Sequence, residues 1–322
     1  MSHQTSAPAT EAGDHRAPVL WGAAAIAAGA GLALQSRING ELGARLEHGL
    51  LAALISFGVG LALLAVLLLV WPGARAGVGR LVRVIRDGSM PWWYATTGLL
   101  GAFLVASQGL VVGTTGVALY TVGVVAGQTV SGLAVDRAGF GGLPRKPVTL
   151  QRLLGALLAL VAVGIALVGA GALQGVWLVV LPFIAGLLQA VQQAFGGLVQ
   201  RHANSAIAQS ISNFLVGTVA LAIIVGAQTL LGVTAQPLPT DPWLYTGGVL
   251  GIMFIALMSV AVHHLGVLVM GLCVICGQVL TSLALDLIVP AEHPVTVWSV
   301  AGAALTIVAV VVSAIRRPTR TR

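Results

Sequence analysis

Long apolar segments separated by short polar ones dominate the chain. Each segment is continuously apolar for about 20 residues, the length that a helix needs to cross the hydrocarbon core of a bilayer. Polar and apolar residues do not alternate with a period of two, as a membrane β-barrel would require. The pattern predicts ten transmembrane helices, at 19–40, 50–70, 91–112, 116–136, 152–171, 177–200, 206–231, 243–262, 266–288 and 295–315.

Composition supports a membrane protein. Hydrophobic residues make up 57% of the 322 residues and charged residues 8%, against about 25% charged residues in a typical soluble domain. Nearly all the charge lies between the apolar segments. The sequence therefore predicts an all-α polytopic membrane protein.

The chain ends are polar, and the first apolar segment resembles a secretory signal because it follows a basic residue. Its counterpart in the middle of the chain, the sixth predicted span, indicates that it is a retained helix. We expect a disordered cytoplasmic tail at 1–17 and a basic cytoplasmic tail at 316–322.

The sequence contains an internal repeat. "AGQTVSGLAVD", which ends at Asp136, returns as "CGQVLTSLALD", which ends at Asp286, and a shift of 150 residues also aligns Gly116 with Gly266. A shift of 157 aligns Gln35 with Gln192 and Phe57 with Phe214. The halves, 18–172 and 173–315, each contain five predicted helices. Because five is odd, the second half must enter the membrane from the opposite side, so we predict an inverted repeat.

Basic residues follow this topology. With a cytoplasmic N-terminus, 14 of the 16 Lys and Arg residues lie on the cytoplasmic side, and only Arg37 and Arg45 lie outside. The positive-inside rule therefore predicts that both termini are cytoplasmic. The net charge of +7 fits attraction to anionic lipid, and without a soluble basic domain we expect no nucleic-acid partner.

Several motifs carry a family resemblance. Gln35-x3-Asn39, the "ELGARL" that follows, Ser56-Phe-x-x-Gly and the "GQ…LAxD" of both halves resemble the YdcZ-like branch of the drug/metabolite transporter superfamily in bacterial inner membranes. The resemblance implies a ten-helix transporter fold with a cavity between the halves, and export of a small-molecule substrate. A monomer suffices for this fold, and a homodimer is left open. Gly196 stands where the first half has Asn39, so the site need not be symmetric.

Amide side chains are the candidate substrate-binding groups. A polar side chain in hydrocarbon needs a partner, so we expect these amides to face the bundle interior. The alternative is a role in helix packing, where a hydrogen bond contributes about 0.6 kcal/mol. The candidates are Gln35, Asn39, Gln128, Gln192, Asn213 and Gln278, and further amides are Gln108, Gln189, Gln193 and Gln209.

Three carboxylates are candidates for coupling or gating. Glu41 lies one helical turn from both Arg37 and Arg45, which favours a solvated helix end, with proton coupling as the alternative. Asp136 and Asp286 end equivalent predicted helices. They are interpreted as surface carboxylates that pair with arginine or cap a loop, and alternatively as matching gates.

No catalytic pattern is present. The sequence has no phosphate-binding loop, nucleophile elbow or zinc-protease motif, and we interpret the pair Cys273 and Cys276 as packing residues. We therefore expect a transporter without cofactor or metal, and not an enzyme. The alternatives are a lipid translocator, with a polar groove open to lipid, and a non-transporting adaptor, with no cavity between the halves.

The charge pattern gives a first testable prediction. Single cysteines in the 71–90 and 137–150 loops and at both termini should react only with reagents that reach the cytoplasm. Labelling in whole and permeabilised cells measures this. A C-terminus that reacts from outside would mean an odd number of spans and would contradict the inverted repeat.

Overall fold

A computed structural model describes residues 16–139, 145, 148–169, 177–289 and 295–314. These residues form nine α-helices and no strand. The helices are α1 (Arg16–Leu46), α2 (Gly49–Val70), α3 (Pro72–Arg86), α4 (Gly98–Ala138), α5 (Leu150–Gly169), α6 (Trp177–Ala203), α7 (Ala206–Leu230), α8 (Gly247–Ile288) and α9 (Val297–Ala314). Apart from residues 16 and 17, the predicted tails lie outside the described residues.

The helices expose many large apolar side chains on their outer surface. Six described helical segments are long and apolar enough to cross a membrane. Large apolar side chains project outward from them, with Leu69 76%, Ile223 67% and Leu230 89% exposed. Because water would disfavour so much apolar surface, lipid must surround these helices. The chain is a polytopic membrane protein.

Helix α4 reverses its direction at Gly116. The hydroxyl of Tyr120 donates to the carbonyl oxygen of Leu104 at 3.2 Å, although 16 residues separate them; in a straight helix they would lie ~24 Å apart. Gly116 has φ 80° and ψ 168°, a conformation that glycine adopts far more readily than other residues. The reversal lies where the third predicted span gives way to the fourth.

Helix α3 occupies most of the 71–90 segment between the second and third predicted spans, where the sequence predicted no helix. Pro72 begins the helix, a favoured position for proline. Arg75 donates to the carbonyl oxygens of Leu68 and Leu69, the uncapped end of α2. Arg80 donates to the carbonyl oxygens of Ala203 and Asn204. The arginines therefore attach α3 to the ends of α2 and α6.

The two halves repeat each other in local geometry. The turn between α1 and α2 and the turn between α6 and α7 each contain a non-glycine residue with positive φ, Glu47 at 50° and Asn204 at 45°. The following residue caps the next helix: His48 Nδ1 accepts from Leu51 N, and Ser205 Oγ accepts from Ala208 N, both at 3.2 Å. These turns occupy equivalent positions in the repeat.

Helices from opposite halves pack closely through glycine. α1 packs on α8, and α6 packs on α4. At the first crossing, Gly29 lies against the carbonyl of Val274 and Gly277 against that of Ile26; at the second, Gly186 and Gly127 make the equivalent contacts with Val124 and Phe183. A Cβ on any of the four glycines would overlap backbone atoms. The crossings therefore require glycine.

Helices α2 and α7, one from each half, pack against each other. The rings of Phe57 and Phe214 meet there with centroids 5.0 Å apart, and both side chains are buried. Gly60 lies against Phe214 and Gly217 against Phe57. Each half therefore supplies one ring and one glycine to the same contact.

The α1–α8 crossing gives a second prediction. Gly29→Val should lower the free energy of unfolding by about 1–3 kcal/mol, because the new side chain forces the backbones apart. Gly31→Val is the matched control on the same helix, since nothing lies within 4 Å of a Cβ there. Equilibrium unfolding in mixed micelles measures both variants. Equal loss in the two would show that valine disturbs α1 itself rather than the crossing.

Candidate functional site

A chain of hydrogen bonds joins α1 to α4. The amide nitrogen of Asn39 donates to Gln108 Oε1 at 2.7 Å, and Gln108 Nε2 donates to Ser36 Oγ at 3.0 Å. Ser36 Oγ donates in turn to the carbonyl oxygen of Leu32 at 2.9 Å. Asn39, Gln108 and Ser36 are all buried. The chain therefore holds the Asn39 amide in one orientation.

The backbone carbonyl of Leu32, at the end of this chain of hydrogen bonds, determines which group donates in each bond. A carbonyl oxygen only accepts, so Ser36 donates to Leu32 and accepts from Gln108, whose own oxygen accepts from Asn39. This arrangement leaves Asn39 Oδ1 without a partner, and Gln35 Oε1, one helical turn earlier, also has none. A buried unpaired acceptor costs about 1–3 kcal/mol. Two such oxygens lie on one face of α1.

These oxygens face the beginning of α8, where glycines take the place of larger residues. A Cβ on Gly247 would overlap Asn39 Oδ1 and would lie 2.8 Å from Ser56 Oγ. A Cβ on Gly251 would lie 3.5 Å from both Gln35 Oε1 and Phe214 Cζ. We call Gln35, Asn39 and Ser56 the oxygen cluster. It lies at the contact between the halves, beside the Phe57–Phe214 pair.

The equivalent region of the second half is different. Gln192 Nε2 donates to Asn213 Oδ1 at 2.8 Å, between α6 and α7. Gly101 of α4 lies beside this pair as Gly251 lies beside Gln35. Gly196 and Asn213 replace Asn39 and Ser56 in the repeat. The scaffold is therefore shared, while the first half has free oxygens and the second an amide pair.

Gln128 and Gln278 lie at the two glycine crossings. The backbone nitrogen of Gln278 lies against Gly29, and that of Gln128 against Gly186. Gln278 is 6% exposed, whereas Gln128 is half-buried. Both glutamines are thus at contacts between the halves, on different helices from Gln35 and Asn39.

Asp286 is buried rather than at the surface, so the predicted surface position is wrong, whereas the capping role predicted as one alternative agrees with the structure. Its side chain is 5% exposed, and its oxygens accept from the backbone nitrogens of Val117 at 2.9 Å and Ala118 at 2.7 Å. These nitrogens begin the helical segment that follows Gly116. A carboxylate is favoured there because the helix N-terminus is positive and its first N–H groups lack helical partners. Asp286 therefore stabilises the reversal of α4.

The other two carboxylates pair with arginine. Asp136, at the end of α4, forms an ion pair with Arg152 at the start of α5. Glu41 lies between Arg37 at 3.4 Å and Arg45 at 2.9 Å. Arg45 also contacts Asp241 of the second half at 2.6 Å, so this ion-pair network connects the two halves at one end of the bundle.

The cysteines offer no metal site. Cys273 and Cys276 are free and half-buried in α8. Among the described residues, no group of three or more histidine, cysteine or acidic side chains is placed to bind a metal ion.

Sequence reasoning selected the site's amides, including Gln108, but not the other residues that surround them. Gln35 and Asn39 were predicted to bind substrate, whereas Ser36, Gly247 and Gly251 were not singled out. Ser36 carried a weak signal, because its position four residues after Leu32 allows a bond to that carbonyl. The role of the glycines depends on the packing of α1 against α8, which only the structure reveals.

Comparison with known proteins gives a match that is interrupted where the two halves of the repeat meet. A protein family described as "Putative inner membrane exporter, YdcZ" matches residues 20–167 and 177–312. No curated protein matches the sequence. A crystal structure of another protein is similar over 92% of this chain and 96% of that chain, with a TM-score of 0.54 and 20% sequence identity. At that identity the similarity concerns the fold alone.

The hydrogen-bond chain gives a third prediction. Gln108→Met should lower the free energy of unfolding by about 1–3 kcal/mol, because Asn39 Nδ2 loses its buried acceptor. Gln189→Met is the control, since Gln189 is similarly buried and its Oε1 has no partner to lose. Equilibrium unfolding in mixed micelles compares the two. Equal effects would contradict a specific contribution from the chain.

Proposed function

Because the chain belongs to the YdcZ family of inner membrane exporters, we propose that it is a secondary-active transporter that moves a small metabolite or drug-like molecule out of the cell. The main support for this proposal is that the oxygens of Gln35 and Asn39, at the contact between the halves, have no hydrogen-bond partner. A substrate can satisfy such acceptors, whereas the packed protein leaves them unpaired.

The proposed topology has ten membrane spans, two each from α4 and α8. In a straight α8, Gly251 and Gly277 would lie ~39 Å apart, more than the ~30 Å core. They contact α1 at Gln35 and Ile26, which are only ~14 Å apart along that helix. A reversal within α8, like that of α4, accounts for both contacts. α3 then lies at the cytoplasmic surface, and both termini are cytoplasmic.

The proposed mechanism is alternating access between two inverted repeats. Each glycine crossing has an equivalent in the other half, and each joins a helix of one half to a helix of the other. We propose that the halves tilt about the Phe57–Phe214 contact, with the two crossings exchanging equivalent roles as the cavity opens to one side or the other. Sites between inverted repeats lie near the bilayer midplane in other transporters.

The proposed substrate site combines amides from both halves. Gln35 and Asn39 bind the polar end of the substrate, and Gln192 and Asn213 lie at the equivalent position across the Phe57–Phe214 contact. Gln128 and Gln278, at the crossings, complete the polar lining as the halves move. The alternative for these two is a role in packing alone.

The proposed gating groups lie at the ends of the helices. Arg45 connects Glu41 to Asp241 between the halves, so opening toward that side requires this network to separate. Asp136 and Asp286 hold helix ends in position through Arg152 and through the N–H groups after Gly116.

Transport is tested with the purified protein. A thermal-shift screen across metabolites and drugs identifies ligands, and each ligand is then tested for uptake into proteoliposomes with and without a pH gradient. Saturable, gradient-dependent uptake supports the proposal. Movement of fluorescent lipid between leaflets without solute uptake would favour a lipid translocator, and neither activity would favour an adaptor.

The repeated glutamines give a fourth prediction. Gln128→Ala and Gln278→Ala should each weaken binding of a transported ligand by about 1–3 kcal/mol through loss of a polar contact. Gln228→Ala is the control, because Gln228 lies near the end of α7, away from both crossings. Titration of the ligand into the purified variants measures this. Parent-like binding in both test variants would assign the glutamines to packing.

A further inference from the structure

The two amide oxygens of the oxygen cluster, Gln35 Oε1 and Asn39 Oδ1, are both hydrogen-bond acceptors. Asn39 Oδ1 is an acceptor because the chain through Gln108 and Ser36 to the Leu32 carbonyl uses the amide nitrogen of Asn39. Gln35 Oε1, one turn away on the same face of α1, is likewise buried without a partner. Asn39 is 0% and Gln35 7% exposed. Asn39 Oδ1 is therefore a fixed hydrogen-bond acceptor, and Gln35 Oε1 is a second buried acceptor beside it.

The buried amide oxygens determine which kind of polar group a ligand needs in order to bind. Carbonyl oxygens repel a carboxylate or phosphate, which offers only further acceptors. The cluster contains two amides and a hydroxyl but no carboxylate, so a bound ammonium would lose its hydration without a counter-charge. An uncharged group with N–H donors, such as a primary amide, satisfies the oxygens and is less costly to remove from water.

An aromatic ring borders the same position. A Cβ on Gly251 would be 3.5 Å from Gln35 Oε1 and equally 3.5 Å from Phe214 Cζ. One point in space is thus in contact with both an amide oxygen and an aromatic carbon. A ligand whose N–H group is attached directly to an apolar or aromatic body matches both surfaces at once.

The two halves differ in the free acceptors that they offer, and this difference orients the ligand. Its equivalent amides, Gln192 and Asn213, already bond to each other at 2.8 Å, and Gly196 supplies no counterpart to Asn39 Oδ1. The donor group is therefore recognised on the α1 side, and the apolar body extends toward the aromatic pair and the second half.

We infer that the oxygen cluster of Gln35, Asn39 and Ser56 binds the uncharged N–H donor group of an apolar or aromatic ligand, such as a primary carboxamide. This inference rests on the proposed function, since the strip of α8 at Gly247 and Gly251 must move away from α1 to admit the ligand. Binding then satisfies the oxygens of Gln35 and Asn39, which have no partner when the site is closed.

Three small probes with the same aromatic body test the inference on the purified full chain. Benzamide has two N–H donors, N,N-dimethylbenzamide has none, and benzoate is an anion. Dissociation constants are measured by ligand-observed NMR in detergent. We expect benzamide to bind roughly tenfold more tightly than either other probe. Equal binding of benzamide and its dimethyl analogue, tighter binding of benzoate, or no binding of benzamide at millimolar concentration overturns the inference.

Two matched variants test whether the oxygen cluster is the source of the preference for benzamide. Gln35→Met removes one acceptor and should reduce the preference for benzamide over its dimethyl analogue to below about threefold. Gln228→Met is the control, because Gln228 Oε1 is also buried and unpartnered but lies outside the site; it should retain the parent's preference. The reverse pattern, or a preference unchanged in Gln35→Met, overturns the assignment to this cluster.

The binding measurement is independent of flux. A protein that transports screened ligands but shows no N–H preference leaves the proposed function standing and overturns this inference. A protein that keeps the N–H preference, and loses it in Gln35→Met, but moves no solute in proteoliposomes supports this inference and overturns transport.

Discussion

Close backbone contact between the two halves determines where the remaining helices and the candidate site can lie. α1 reaches α8, and α6 reaches α4, only because Gly29, Gly277, Gly186 and Gly127 place no side chain at the crossings. In an apolar environment the hydrophobic effect does little to hold helices together, so dense packing of small residues takes its place. The crossings bring Phe57 to Phe214 and the amides of α1 to the glycines of α8. The site is therefore a product of packing between the halves.

The repeat preserves geometry more strictly than chemistry. Both halves keep the positive-φ turn residue, the capped helix after it and the glycine that receives a phenylalanine ring. At the site, however, Asn39 corresponds to Gly196 and Ser56 to Asn213. Backbone positions at the crossings tolerate no change without moving two helices, whereas the side chains at the site can differ as long as their hydrogen bonds are arranged locally.

Sequence reasoning succeeded where a feature depends on local composition. Apolar length indicated a polytopic membrane protein, which the six long apolar segments confirm, and the repeat drew attention to Gln35 and its counterpart Gln192. α3 was missed because its arginines and glycines resemble a polar loop, although its bonds to the ends of α2 and α6 stabilise a helix. Asp286 was misjudged because its partners lie 169 and 168 residues earlier in the chain. The unpaired oxygen of Asn39 could not be foreseen either, since its orientation depends on Gln108 of another helix.

The cap at Gly116 also sets an order of events during synthesis. The N–H groups of Val117 and Ala118 are made long before Asp286, which satisfies them. The ribosome thus delivers the first hairpin with two exposed amides at its turn, and only the second half of the polypeptide can pair them. Until then, water or lipid headgroups must solvate the turn, because hydrocarbon offers no acceptor. The cap on this turn is therefore completed only after nearly the whole chain has been translated.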